Sequence, residues 1–310
     1  MSARAWVLFA SVGVIWGVPY LFIKIAVDEL SPSVVAWSRL ALAAAVLLPL
    51  AWRAGALGGL GARWKTLAAF AAVEMAVPWQ LLGFGEVHVS SSLAAILIAA
   101  VPLFVALLAL RYDHAERPTR TRLVGMLIGL AGVIALVGID IGGDGEELLG
   151  ALAIVVVAFL YAVGPMIVKR RLSDVDPLGP VAASVGIATI MVTPFALAGL
   201  PDSVPSADTI ASVVVLGLLC SAFAFLLFFR LIAEVGPGRA TVITYINPVV
   251  ALALGVAVLD ESVTTGVVVG LLLILAGSWL STDGRVPPGL ASIAGRVRGR
   301  TRARSSEAPG

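Results

Sequence analysis

The chain has 310 residues, of which 60% are hydrophobic and 13% charged, with a mean hydropathy of +1.04 and a formal net charge of +2. Soluble domains carry about one quarter charged residues, so this composition excludes a soluble enzyme or binding module. One cysteine (Cys220, inside an apolar run) and two histidines (His88 and His114, read as lying on different loops) leave no disulfide framework and no cysteine or histidine metal centre to build, and no cofactor is expected.

A helical bilayer crossing takes roughly 20 apolar residues. Ten such runs follow one another, at 5–25, 33–52, 66–85, 90–110, 121–139, 148–168, 179–199, 209–229, 239–259 and 264–281. They lack the period-2 alternation of an outer-membrane barrel, so the reading is an all-α integral membrane protein of ten transmembrane helices. The first run has span length and contains landmarks that recur later, which distinguishes it from a cleaved signal peptide. In it Trp16 sits mid-span ahead of Gly17 and Pro19, residues that loosen helical bonding and turn a carbonyl toward a cavity. Trp16 is therefore a candidate wall for an amphipathic substrate, with bundle packing as the alternative. Lys24 can pair with Asp28 at i,i+4 as a helix-end anchor.

The second and third runs each contain one charge, Arg39 and Glu74. A charge at the centre of a span costs about 2.5–3.5 kcal/mol on insertion scales, so a functional role is the default. At 1.5 Å rise per residue, Arg39 lies roughly 10 Å from its end of the membrane and Glu74 about 15 Å from the opposite end, similar depths that permit a salt bridge. Arg39 would meet a substrate carboxylate or phosphate, and Glu74 an ammonium group or a coupling proton. The alternative is a structural ion pair locking two helices. Trp79 and Gln80, beside Pro78, form a second candidate wall. Tyr161, with Gly164 and Pro165 behind it, mirrors Trp16. In the ninth run Thr241, Thr244, Tyr245 and Pro248 share one helical stripe with Asn247 beside it, lining a cavity or hydrogen-bonding between helices.

The chain also repeats itself. "ERPTRTRLVGMLIGLAG" from Glu116 returns as "ESVTTGVVVGLLLILAG" from Glu261, an offset of 145 residues that also matches Gly125 with Gly270, Gly132 with Gly277, Trp16 with Tyr161 and Lys24 with Lys169. Both glutamates are expected to cap the helices that follow them. Five runs fall in each copy, and an odd number makes the second copy enter from the opposite side. The fold expected is two inverted five-helix repeats, 1–139 and 147–282, followed by a basic disordered tail at 283–310.

With a cytoplasmic N-terminus, 19 of the 21 basic residues fall on cytoplasmic segments, whereas the opposite loops hold acids, Glu86 among them. This is the positive-inside bias, and it places both termini in the cytoplasm. The arginines of the tail suit anionic lipids of the bilayer rather than nucleic acid.

"VIWGVPYLFIKI" in the first run, "AAVPLFVALLAL" in the fourth and "FAFLLFFRLIAEVGPGRATVITYINPVVALALGVAVLDESVTTGVVVGLLLILAG" in the second copy resemble the EamA-type transporters of the drug/metabolite transporter superfamily over about residues 5–281. The resemblance implies a bacterial inner-membrane carrier, often an exporter of amino acids or other small metabolites. The first copy shows "HAERP" where the family usually has a Gly-Glu pair, and Tyr161 stands where a Trp is commoner. A phosphate loop for ATP is absent from the sequence, so a secondary transporter is read, as monomer or homodimer. An intramembrane transferase would need paired acids with a basic phosphate clamp, and a membrane sensor a regulatory domain; neither is found in the sequence.

Overall fold

The computed structural model describes residues 2–112, 120–140, 145–235 and 241–281. Among these residues there are helices and turns and no strand. The helices are α1 (Ala3–Ile15), α2 (Pro19–Val27), α3 (Pro32–Arg53), α4 (Trp64–Ala71), α5 (Val77–His88), α6 (Ser91–Ile98), α7 (Val101–Tyr112), α8 (Arg120–Asp140), α9 (Gly145–Arg171), α10 (Leu178–Ala198), α11 (Ala207–Val214), α12 (Ala224–Val235), α13 (Asn247–Leu259) and α14 (Thr265–Ser281). Among the described residues, seven segments are long and apolar enough to cross a membrane: Ala3–Val27, Pro32–Arg53, Leu60–His88, Ser91–Leu108, Gly145–Arg171, Leu178–Ala198 and Ala207–Val235. Ile243–Leu259 and Thr265–Leu280 are apolar but shorter.

Helix starts follow local chemistry. Hydroxyls of Ser2, Ser31, Ser90, Ser206 and Thr264 accept from backbone N–H groups three residues on, satisfying donors that the first turns of α1, α3, α6, α11 and α14 leave open. Breaks inside the apolar runs sit beside prolines, which lack the N–H a continuous ladder needs. The chain turns at residues 16–18 before Pro19, at 99–100 before Pro102 and at Ile246 before Pro248. Pro49, Pro165 and Pro194 are absorbed inside α3, α9 and α10 without a break. Tyr161 thus lies in an unbroken helix, unlike Trp16. The stripe expected through the ninth run is also interrupted: Thr241–Tyr245 is a 3-10 turn, and α13 begins only at Asn247.

Two segments wind more widely, as π-helix: Ala72–Ala76 between α4 and α5, and Val215–Phe223 between α11 and α12. These occupy the same place in the two copies. The third segment of each copy packs on the second of the other: 72–76 lies against α10, and 215–223 against α3. Equivalent helices also meet directly. A Cβ built at Gly277 would collide with the backbone of Gly129, and one at Gly132 would stand 2.9 Å from Ile274 N, so α8 and α14 touch through bare backbone. Large apolar side chains such as Leu127, Ile134, Ile190 and Leu272 remain on the outside, as a lipid solvent requires.

Two expected local contacts are replaced, and one expected loop position is corrected. Glu261 does not cap α14, which Thr264 caps; its carboxylate accepts from the backbone N–H groups of Ser91 and Ser92 and from the Ser92 hydroxyl, capping α6. Asp260, at φ 54°, turns the chain to make this reach possible. Lys24 leaves Asp28 and donates to the carbonyls of Glu86 and Val89, at 2.6 and 3.0 Å, where α5 ends in unpaired acceptors. His88 lies in the last turn of α5 rather than in a loop, with Nδ1 3.8 Å from a Glu146 oxygen. Glu116, His114 and the 283–310 tail fall outside the described residues.

At one end of the bundle, Arg63 grips Asp174 with two hydrogen bonds of 2.6 Å each. Those bonds hold the Asp174 carboxyl down at about 2. A depressed folded value means the contribution is whole above the ordinary carboxylate range and disappears as pH falls through about 2. Asp174→Asn is therefore expected to flatten the fall in thermal stability between roughly pH 4 and 2. The effect is small because Asp174 is 61% exposed. Melting curves of the two proteins in detergent across that window check it, and identical slopes would refute it.

Candidate functional site

The centre of the site is Arg39, which is 7% exposed. Its guanidinium carbon stands 3.8 Å from the centroid of the Trp79 ring, a stacked cation–π contact. Arg39 Nε donates to Ser221 Oγ at 2.7 Å, and that hydroxyl donates onward to Leu216 O, five residues back, at 2.8 Å. The wide turn at 215–223 makes the second bond available. Among the described residues no carboxylate lies within ion-pair distance of Arg39, and its other N–H donors have no partner.

The expected Arg39–Glu74 salt bridge is not formed. The reason is the crossed packing of the copies: α3 faces 215–223 of the other copy, while Glu74, in 72–76, faces α9 and α10. Similar depth did not bring the two side chains to one interface. Glu74 Oε2 is sealed from solvent and has no hydrogen-bond partner. It packs against bare backbone at Gly164 of α9, where a Cβ would collide with the carboxylate. Gly164 therefore makes room for an acid. Tyr161 of α9 packs on the cluster that contains Trp79.

Of the sequence-predicted residues, Arg39, Trp79 and Tyr161 thus come together, and Glu74 meets α9 at Gly164, one turn past Tyr161, without reaching Arg39. Gln80 stands to one side, donating to Ala76 O and accepting from Ser33 Oγ, both at 2.8 Å, and so ties α5 to α3. Trp16, Tyr245 and Asn247 form a second group around the break after α1. Trp16 is half-buried and lies against Phe225 and Phe228 of α12, with centroids 6.0 and 4.7 Å away. Tyr245 packs on the cluster of Leu8, Phe9, Val12, Leu231 and Ile243. The amide of Asn247, with oxygen and nitrogen assigned from their surroundings, donates to Ile243 O and to Gly13 O at 3.1 and 3.0 Å. Gly13 O is the acceptor freed when Gly17 N bonds Val14 O, so Asn247 holds the break in place. For Thr241 only the backbone is described, in the 3-10 turn. Phe225 joins the two groups, packing also on the cluster that contains Trp79.

Sequence reasoning missed three residues here. Ser221 follows Cys220, itself a buried core residue as expected, and nothing in a serine's type marks it as an arginine partner. Tyr20, buried beside Pro19, shares its surroundings with Arg39, Glu86 and Tyr161. Its signal was a polar aromatic in mid-span. Glu86, read as an acid of an external loop, is 0% exposed in α5, and both its carboxylate oxygens lack a hydrogen-bond partner. The run boundary at residue 85 hid it by one position.

A buried cation with donors to spare, an aromatic face against it and an acid on the neighbouring segment are groups that a small dipolar solute would meet. The bond from Arg39 to Ser221 joins the two copies at this point. Buried charges inside an all-helical, multi-pass membrane protein point to the class of membrane transporters.

The EamA-like transporter family matches residues 4–138 and 148–282, once for each copy, and the chain belongs to it. A relative from Archaeoglobus fulgidus, described as an "Uncharacterized transporter", is 27% identical, with 91% of this chain and 98% of that one covered. A "Probable terminal-alkyne amino-acid exporter" from Streptantibioticus cattleyicolor is 30% identical, with 96% and 91% covered. A crystal structure at 19% identity superposes with a TM-score of 0.65 over 91% of this chain and 98% of that one, a likeness of fold.

Proposed function

We propose that the chain is a secondary transporter exporting small amphipathic zwitterions, amino acids or related metabolites, across the bacterial inner membrane by alternating access. In this reading ten spans form two inverted halves, 1–139 and 147–282, with both termini in the cytoplasm. The observation that carries it is Arg39, a buried guanidinium stacked on Trp79 with no acid paired to it among the described residues. Keeping such a charge costs several kcal/mol unless a ligand repeatedly meets it. A substrate carboxylate takes the free donors of Arg39, the ammonium or coupling proton goes to Glu74, and the apolar part rests on Trp79 and Tyr161, with Trp16 beyond. A relative named as an amino-acid exporter supports the same substrate class. Crossed packing of 72–76 on α10 and 215–223 on α3 supports rocking of one half against the other.

The test is uptake into proteoliposomes of pooled labelled amino acids and small metabolites under an imposed proton gradient, for the wild type and Glu74→Gln. Wild-type flux that Glu74→Gln abolishes in a folded protein is expected. Equal flux in both would remove Glu74 from the site, and absence of flux for every solute would count against this substrate class.

A further inference from the structure

Glu86 belongs to none of the roles above, yet it is the most completely enclosed acid among the described residues. It is 0% exposed, and neither Oε1 nor Oε2 has a hydrogen-bond partner. Its place makes an ionised carboxylate more costly still. Glu86 lies in the last turn of α5, where the carbonyl ends of the helix gather negative charge. The one ammonium close by, Lys24, is engaged by the carbonyls of Glu86 and Val89 rather than by the carboxylate. The other titratable groups facing it are Tyr20 on α2, Arg39 on α3 and Glu261 from the turn after α13. His88, on α5 itself, is turned to Glu146 of α9. Two residues past Val89, the hydroxyl of Ser91 is also buried with no partner. Thus two orphaned carboxylate oxygens and an orphaned hydroxyl lie on either side of the short turn that joins α5 to α6, where Glu261 of the second copy caps α6.

We infer that Glu86 is a proton-binding site, distinct from Glu74, that carries its proton in this conformation and releases it when the α5–α6 corner opens. The inference rests on the transporter reading above for its purpose, though not for its detection. On release the O–H bond of the carboxyl breaks, the proton passes to water, and the carboxylate left behind takes the ammonium of Lys24 from the two carbonyls. Lys24 already stands at the corner, so the exchange needs no further residue. A proton fits better than a metal cation because Lys24 would repel the latter. A glutamine would satisfy packing equally well; what only a glutamate adds is the ability to ionise.

The experiment uses the full chain, purified in detergent, and reads the infrared C=O stretch of protonated carboxyl groups at neutral pH. Wild type, Glu86→Gln, Glu74→Gln and Glu146→Gln are compared, the last removing an exposed acid. Loss of a band in Glu86→Gln that survives in the other two establishes the site. An unchanged spectrum in Glu86→Gln overturns it. Adding sodium at constant pH separates the ions, since disappearance of the band on sodium addition would assign the site to a metal cation instead. In proteoliposomes, Glu86→Gln is then expected to retain downhill substrate flux while losing its acceleration by a proton gradient. Acceleration equal to wild type would overturn the coupling role. Failure of all proteins to move any solute would count against the substrate class proposed above while leaving the infrared result to stand alone.

Discussion

Arg39→Gln is expected to lower substrate flux by about 100-fold or more while leaving thermal stability unchanged or raised. The two halves of this expectation have one cause. Arg39 is buried without a paired acid, so its charge costs the fold energy that neutralisation recovers. The same charge, with donors to spare, is what a substrate carboxylate would meet, and losing a buried charge-assisted pair removes about 3 kcal/mol, the equivalent of that flux change. A structural ion pair predicts the reverse: stability falls because the partner is left uncompensated. Arg39→Lys separates charge from shape, since an ammonium keeps the sign while losing the flat face stacked on Trp79. Flux at a saturating and a limiting amino-acid concentration, beside melting curves in detergent, decides. A destabilised Arg39→Gln with normal flux would remove Arg39 from the substrate site.

The second large effect is expected at Gly17. A Cβ there would stand 2.5 Å from Val250 Cβ and 2.9 Å from Asn247 O, both at the start of α13 and neither a flexible side-chain end. Gly17→Ala therefore pushes α13 away from the break after α1 and strains the Asn247 bond to Gly13 O. Overpacking of this kind costs about 1–3 kcal/mol, and the orphaned carbonyl adds about 1–3 kcal/mol. Gly61→Ala, where a Cβ meets nothing within 4 Å, is the matched control. A Gly17→Ala protein as stable and active as Gly61→Ala would show that the contact is not rigid.

Hydrophobic runs made the helices legible, because lipid-exposed and buried faces are both apolar and length alone marks each segment. Charge within a run marked Arg39 and Glu74 for the same reason. What a single sequence could not supply is which copy faces which. Ser221 and Gly164 acquire their meaning only when α3 meets 215–223 and 72–76 meets α9, contacts between residues more than 80 positions apart. Breaks were half legible. The Gly17–Pro19 pair does interrupt its helix, whereas Gly164–Pro165 lies inside an unbroken α9, and the small residue there accommodates the neighbouring Glu74. Glu261 was recognised as a cap but assigned to its own helix, because spacing along the chain favours the nearest N-terminus and the left-handed turn at Asp260 redirects it.

The glycine seam between α8 and α14 has a consequence for how such a molecule arises and assembles. Shifting by the repeat offset of 145 turns the 129–277 contact into 274–132, and that contact is also present. A face in which residue i meets j and the counterpart of j meets the counterpart of i is isologous, the geometry by which two identical subunits bind one another. Each half therefore carries a self-complementary surface, and the peptide between the halves raises their effective concentration without creating the interface.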